Sequence, residues 1–237
     1  MIISHSHQFI LLAPWKTASQ TLHASLAAYN QSPYSRTFHF NPALSRVVHQ
    51  HVTLADLQAI PEGRLGYKTG AFVRNPYDRA YSGFIQLDRD FRAQPCEVFD
   101  SPWIGELVKE QISANMSRII AAGFDFNLWF ASLPDHEILE SGRNTNMPLH
   151  PVHYWTHIEG CSVDFTGKVE TLNEDYQRFC EFVGIDSPAI ESHNVTENAA
   201  AKQSTGYRYA NRMSRSTIDR INLLFARDFE LFGYEKL

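Results

Sequence analysis

Residues 9–22 have the sequence FILLAPWKTASQTL, which contains an apolar run, a polar turn and the beginning of a helix. The unbroken apolar run, ended by Pro14, predicts a fully buried strand. A helix is expected over residues 19–29, because apolar side chains recur there at helical spacing. A buried strand that leads into a helix favours an α/β fold with a parallel sheet.

The turn between this strand and helix has the chemistry of a phosphate-binding loop. Lys16 would supply positive charge, the hydroxyls that follow it would donate hydrogen bonds, and backbone N–H groups near the helix start would face an anion. The turn contains no glycine, so it is not the glycine-rich loop of the nucleoside-triphosphate enzymes. The alternative is an ordinary strand–helix turn with an exposed lysine.

A second segment, residues 72–82, follows the same plan. Residues 71–73 predict another buried strand, and Asn75-Pro76 predicts a helix start with Asn75 as the cap. Arg74 then stands at the carboxyl end of a strand, where ligands bind in open parallel sheets, and arginine can bind phosphate with two hydrogen bonds. Ser82 follows two turns into the helix. The alternative is an arginine at the sheet edge and a serine facing solvent.

Other helices are expected to begin at Thr53, near residue 104, at Thr171 and at Ser216. Thr53 with Asp56, and Thr171 with Glu174, have the spacing of capping boxes. The last helix is expected to continue to a glycine stop at Gly233. Strands that alternate with helices predict an α/β fold with a parallel sheet.

Composition limits the class of protein. The 237 residues fit one domain, 1–237, and 43% hydrophobic residues can fill a core. The net charge of −5 argues against binding of nucleic acid by bulk charge. Three cysteines without paired spacing favour a reducing compartment. The sequence contains no apolar run long enough to span a membrane. The first residues predict a strand rather than a signal peptide, so we expect a cytoplasmic protein.

The two phosphate-binding segments together resemble those of sulfotransferases that use 3′-phosphoadenosine-5′-phosphosulfate (PAPS), in particular the membrane-type carbohydrate sulfotransferases and their bacterial relatives. Lys16-Thr17-Ala18-Ser19-x-Thr21 resembles their 5′-phosphosulfate loop, and Arg74-x-Pro76-x-x-Arg79-x-x-Ser82 resembles their 3′-phosphate motif. Residues 163–172 and 228–234 resemble their late strand and carboxyl-terminal signature. The family usually has proline directly before the lysine, whereas this chain has Trp15 there.

The resemblance implies a P-loop-like three-layer fold, in which helices flank a central, mostly parallel sheet. It also implies a set of residues that bind PAPS or its product, adenosine 3′,5′-bisphosphate (PAP): Lys16, Thr17, Ala18, Ser19, Gln20, Thr21, Arg74 and Ser82. A late basic loop closes over the nucleotide in related enzymes, which makes Lys202 and Tyr209 further candidates. The alternative for this stretch is a solvated helix start.

The segment His49-Gln50-His51-Val52 precedes the helix expected at Thr53. It resembles the His-x-His-Val segment of the uronyl 2-O-sulfotransferases, in which the second histidine is the catalytic base. The resemblance implies His51 as the base and His49 as its helper. Imidazole suits this role, since its ordinary pKa lies near neutrality. The alternative is a histidine at a helix start that serves only structure.

The segment from His150 to His157 is rich in histidines and aromatic residues. In the family, the acceptor cleft lies near this place, and His150, His153 and Tyr154 are candidates to contact a sugar. Half-buried loop packing is the alternative. A zinc site is disfavoured, because Pro151 interrupts a regular helix, no cysteine or carboxylate completes a set, and sulfuryl transfer needs no metal.

The sequence therefore predicts a PAPS-dependent sulfotransferase that modifies a hydroxyl, expected to be on a glycan, without a metal, nucleic acid or membrane insertion. His51 would accept the proton, and Lys16 would stabilise the leaving group. An atypical nucleotide kinase and a catalytically inactive nucleotide- or glycan-binding protein are the alternatives. The identity of the acceptor and the choice between monomer and homodimer stay open at this stage.

Overall fold

A computed structural model of the chain describes residues 1–34, 37–92, 98–140, 149–190 and 207–237. The chain forms two compact units, each built from two stretches of sequence. The first unit comprises Met1–Arg74 and Val152–Thr196, and the second comprises Asn75–Pro151 and Glu197–Leu237. That the two units together make one sulfotransferase domain over 1–237 stays a prediction.

The first unit is organised around a four-stranded sheet. Its strands are β1 (Ile2–Ser4), β2 (Phe9–Leu12), β5 (Lys68–Val73) and β9 (Phe165–Lys168), in that spatial order. The pairs β2/β5 and β5/β9 are parallel, and β1 pairs antiparallel with β2. The prediction of a central, mostly parallel sheet is confirmed.

Helices cover both faces of this sheet. Successive strand residues point to opposite sides, and here both sets of side chains are apolar, so each face is buried. Phe9 and Leu11 pack with helices α1 (Ser19–Ser25) and α8 (Leu172–Val183). Ile10 and Leu12 pack with helix α2 (Leu54–Ala59) on the other face. The three-layer, P-loop-like α/β architecture is therefore confirmed.

Smaller elements complete the first unit. Strands β3 (Thr37–Asn41) and β4 (Arg46–Val48) pair antiparallel and lead towards the histidine segment. Helix α7 (His153–Thr156) precedes the antiparallel pair of β7 (His157–Ile158) and β8 (Cys161–Ser162).

The second unit is mainly helical. Its elements are α3 (Pro76–Arg92), β6 (Val98–Phe99), α4 (Pro102–Ala121), α5 (Phe126–Ser132), α6 (Asp135–Leu139), α9 (Arg215–Leu224) and α10 (Ala226–Phe232). An aromatic core that includes Tyr77, Trp129 and Phe225 holds these helices together. The predicted last helix is wrong in its details: it begins after the cap Ser214 rather than at Ser216, and it is interrupted at Phe225.

The predicted caps have mixed outcomes. The capping box of Thr53 and Asp56 is confirmed, and Asn75 accepts hydrogen bonds at the start of α3. The capping box at Thr171 is wrong, since the Thr171 hydroxyl donates to Asp175 instead, at 2.7 Å. Asp175 also accepts from the Lys168 amide at 2.8 Å, so it ties the end of β9 to α8.

Candidate functional site

The turn between β2 and α1 has an unusual backbone. Lys16 and Ala18 have φ angles of 64° and 59°, although neither is glycine. Non-glycine residues rarely adopt this conformation, and such backbone strain is concentrated at functional sites. The Thr17 hydroxyl donates to the Pro14 carbonyl at 2.9 Å, which stabilises the turn from inside. The strand–turn–helix arrangement expected around Lys16 is present.

Polar side chains follow this turn into α1. Ser19 and Thr21 are buried and Gln20 is half-buried, although all three carry hydrogen-bonding groups. The residue before the helix, Ala18, makes no side-chain capping bond. The first turn of α1 therefore lacks the usual Ser, Thr, Asp or Asn cap.

Arg74 lies beside the turn, at the end of a strand where the sequence placed it. It directly follows β5, the parallel neighbour of β2, and its Nη1 atom lies 3.5 Å from the Lys16 carbonyl oxygen. The contact is long and weak, but it places the guanidinium next to the lysine-bearing turn. Two cationic residues therefore stand at the same carboxyl edge of the sheet.

His51 approaches the same turn from the other chain segment. Its Nδ1 atom lies 2.5 Å from the Ala13 carbonyl oxygen. A carbonyl only accepts, so Nδ1 carries the proton and Nε2 keeps its lone pair. Nε2 also lies 3.4 Å from the side-chain amide nitrogen of Gln50, a long contact. In this tautomer the imidazole can accept a proton at Nε2.

Aromatic rings surround the His51 imidazole. The Trp15 ring stacks on it, with centroids 3.9 Å apart and planes 23° apart. The His49 ring centroid lies 5.4 Å from that of His51, and the Phe38 ring stacks on His49 at 4.2 Å. Phe38, His49, His51 and Trp15 thus form a column of rings, which we call the aromatic column.

The surroundings of His51 keep it neutral. Burial is the main cause that lowers its pKa well below the usual 6.5, and the neighbouring His49 lowers it further. The hydrogen bond to the Ala13 carbonyl opposes this shift by favouring the protonated ring. Near neutral pH the ring is uncharged, which is the form that can take up a proton.

The second unit contains two of the predicted nucleotide ligands. Ser82 lies on α3, and only 3% of its surface is exposed. Tyr209 is buried, its ring stacks on Tyr81 at 4.8 Å, and its amide donates to Asp78 at 2.9 Å. Tyr209 thus belongs to the core of this unit. Lys202 lies outside the described residues.

The predicted acceptor residues fall into different units. His150 is buried in the second unit, and its carbonyl accepts from the Arg79 guanidinium at 2.8 Å. His153 and Tyr154 lie on α7 in the first unit, with ring centroids 4.2 Å apart, and Tyr154 is 41% exposed. Arg79 also donates to the Leu149 carbonyl at 3.1 Å, so it holds the turn that carries His150.

In the part of the chain that the structure describes, no three His, Cys, Asp or Glu side chains form a group that could hold a metal ion. Among those residues, no helix combines the length and the apolar character needed to cross a membrane.

The parallel sheet with its lysine-bearing turn places the chain among the α/β proteins of P-loop-like architecture. Within that class, residues 1–235 match the sequence model of the sulfotransferase family, and the chain belongs to this family. No curated protein and no solved structure matches the chain significantly. Family membership makes the chain a transferase of sulfuryl groups that acts on a hydroxyl-bearing acceptor.

Sequence reasoning identified Lys16, Arg74 and His51, and the structure brings these three residues together around one turn. It missed the part played by Trp15, which stood out only as a departure from the usual family loop. It also missed Arg79 as a support of the 149–150 turn. Both residues lay inside segments that the sequence had already singled out.

Proposed function

We propose that this protein transfers a sulfuryl group from PAPS to a hydroxyl of a saccharide. The observation that carries the proposal is the meeting of three residues at the turn after β2. Arg74 contacts the Lys16 carbonyl, and His51 contacts the Ala13 carbonyl. Two cationic side chains and a basic imidazole therefore lie next to the short segment of residues 13–16. Family membership supplies the reaction class.

His51 is the proposed general base. Its Nδ1–H is held by the Ala13 carbonyl, so Nε2 is the basic atom. An acceptor hydroxyl would give its proton to Nε2 as its oxygen bonds to sulfur, while the bond from sulfur to the bridging oxygen breaks. A bound anionic donor would raise the pKa of the imidazole from its lowered value and so strengthen the base.

Lys16 is the proposed stabiliser of the leaving group. Negative charge grows on the bridging oxygen as its bond to sulfur breaks, and a fixed cation is most useful where charge develops. Backbone N–H groups of the turn, including that of Thr17, and the hydroxyls of Ser19 and Thr21 would hold the 5′-phosphosulfate. By analogy with phosphoryl transfer, these residues would act mainly by positioning and electrostatics.

Arg74 is the proposed ligand of the 3′-phosphate, the group that distinguishes PAPS from ATP. Its half-buried guanidinium follows β5 directly, and a guanidinium can bind phosphate through two parallel hydrogen bonds. Ser82 is proposed as a second 3′-phosphate ligand, and Tyr209 and Lys202 as late nucleotide contacts, on the family motif alone. The buried position of Tyr209 makes a core role its strongest alternative.

The saccharide acceptor is proposed from the residues near α7. The exposed Tyr154 ring and the neighbouring His153 could pack against sugar C–H faces. His150 is proposed as a further contact. A cytoplasmic location is part of the same proposal, and a homodimer is one assembly that it allows.

The first experiment compares ligands and then turnover. Thermal unfolding is measured with PAP, ATP and buffer, and PAP release from PAPS is measured with a panel of saccharides. Stabilisation by PAP over ATP, together with acceptor-dependent release, supports the proposal. Preference for ATP would favour the kinase alternative. PAP binding without turnover on any acceptor would favour an inactive binding protein.

A further inference from the structure

Trp15 and Ala13 hold His51 from the same short segment. The Ala13 carbonyl lies in reach of Nδ1 at 2.5 Å, and the Trp15 ring covers one face of the imidazole at 3.9 Å. Lys16 follows Trp15 directly, with a positive φ of 64°. Two residues that precede Lys16 in the chain, Ala13 and Trp15, therefore contact the proposed base.

The two contacts constrain different motions of the imidazole. A hydrogen bond at Nδ1 fixes one point of the ring but allows the ring to rotate about the N–H···O axis. A ring stacked face to face resists that rotation, because any tilt loses contact area. With both in place, the direction of the Nε2 lone pair is set.

We propose that Trp15 is a positioning residue for the transfer reaction, which sets the plane of the His51 ring and shields one face of it from water. This inference rests on the proposed role of His51 as the base. Trp15 stands where the related sulfotransferases usually have proline, so this contact belongs to the particular turn of this chain.

The stack also affects the charge that His51 acquires. The titratable groups that act on His51 are His49, His23 and the amino group of Met1, and each disfavours a positive ring. The Trp15 ring covers one face of the imidazole and keeps water from it, so it adds to the burial that lowers the pKa of His51.

The test compares Trp15→Ala with Trp15→Phe, which keeps an aromatic face. We expect Trp15→Ala to lower kcat by about 10- to 100-fold, the usual cost of a misplaced reactive group. KM for PAPS and the affinity for PAP should change by less than about threefold, because the ring faces His51. Trp15→Phe should restore most of the lost turnover. Equal losses in both variants would overturn the role of the stacked ring.

A second readout separates positioning from simple damage to the turn. The His51 pKa, measured by NMR titration, should rise towards 6.5 in Trp15→Ala, because water reaches the uncovered face and relieves the burial that lowers it. It should stay low in Trp15→Phe. An unchanged His51 pKa in Trp15→Ala would contradict the shielding of the ring.

A double variant distinguishes failure of this inference from failure of the proposed function. If Trp15 acts through His51, Trp15→Ala should cost little further turnover in a His51→Ala background. A full additional loss there would show that Trp15 acts independently of His51. Normal turnover in His51→Ala alone would instead reject the proposed base, while the NMR titration would still report on the stack.

Discussion

The Nδ1 atom of His51 and the carbonyl oxygen of Ala13 lie 2.5 Å apart, although the two residues are separated by 38 positions in the chain. Through this bond the base segment is attached to the turn that carries Lys16. A displacement of the turn would therefore move the proposed base and the proposed leaving-group lysine together.

Replacement of His51 by alanine should lower turnover by a factor of about 10²–10⁴, the weight of a positioned proton acceptor. PAP affinity should survive, because the proposed role of the imidazole is to contact the acceptor rather than the nucleotide. His49→Ala should cost less, since His49 acts on its neighbour. Steady-state turnover and PAP calorimetry measure both effects. His136→Ala, at an exposed position on α6, is the matched control. Near-normal turnover of His51→Ala would show that His51 is not the base.

The pH profile of kcat/KM should have its acidic midpoint below that of an enzyme with an ordinary histidine base. Because burial and His49 hold the pKa of His51 well below 6.5, kcat/KM should stay level as the pH falls through 6.5 and decline only at more acidic values. An ordinary histidine base would already be half protonated there. A profile with its acidic midpoint at or above 6.5 would contradict this environment for His51.

The same environment predicts how stability depends on pH. Between the lowered pKa of His51 and 6.5, the unfolded chain binds the proton more readily than the folded protein. The free energy of unfolding should therefore fall as the pH drops from 6.5 through that window, and it should be insensitive to His51 above it. Urea unfolding of wild type and His51→Gln at several pH values measures the difference. If the free energy of unfolding depends on pH in the same way for both proteins, the pKa of His51 is not lowered.

Lys16→Ala should reduce kcat far more than it reduces PAP affinity, because the charge that Lys16 meets develops in the transition state. Turnover with PAPS and calorimetry with PAP give the two quantities. Lys109→Ala removes one positive charge from an exposed position on α4 and should leave both nearly unchanged. Equal falls in kcat and affinity would reduce Lys16 to a general binding role.

Arg74→Ala should remove the preference for PAP over 5′-AMP. Loss of a charged, two-bond contact with phosphate should cost about 1.5–3 kcal/mol of PAP binding and little of 5′-AMP binding. Calorimetry with the two nucleotides measures this difference. Arg64→Ala, at an exposed position, is the charge-matched control. If the wild type binds both nucleotides equally, the 3′-phosphate assignment fails.

A glycine in the sheet gives a test of the fold itself. Gly167 on β9 is paired with Phe72 on β5, and a Cβ atom at Gly167 would lie 2.6 Å from the Phe72 ring. Gly167→Ala should therefore lower the free energy of unfolding by about 1–3 kcal/mol. Addition of Phe72→Leu should recover part of that loss, which chemical denaturation can measure as a double-mutant cycle. If the losses of the two single variants simply add in the double variant, the contact of the new methyl group with Phe72 is not the cause of the destabilisation.

The sequence predicted the sheet, its flanking helices and the position of Lys16 and Arg74 at one sheet edge, because buried strands and helix starts leave strong local patterns. The interruption at Phe225 escaped prediction. The apolar spacing there continues through the break, so periodicity alone could not detect it. The capping box of Thr171 with Glu174 failed because the Thr171 hydroxyl bonds to Asp175, a second acidic residue at nearly the same spacing.

The candidate site was predictable in its residue types but not in its contacts. Lys16, His51 and Arg74 have recognisable chemistry and stand at predicted element ends. The aromatic column depends on strand β3, which delivers Phe38 to His49 from a segment without a functional motif. Contacts of this kind arise from tertiary packing, for which a single sequence carries no local signal.

The order of strands in the central sheet has a consequence for biosynthesis. β5 is complete at Val73, but its parallel neighbour β9 begins only at Phe165, after the chain has supplied residues 75–151 to the second unit. While the ribosome makes that long insertion, one edge of β5 has no strand to pair with. A nascent chain stalled before Phe165 would therefore expose an unpaired apolar strand, and we expect this interval of synthesis to be the one most prone to aggregation.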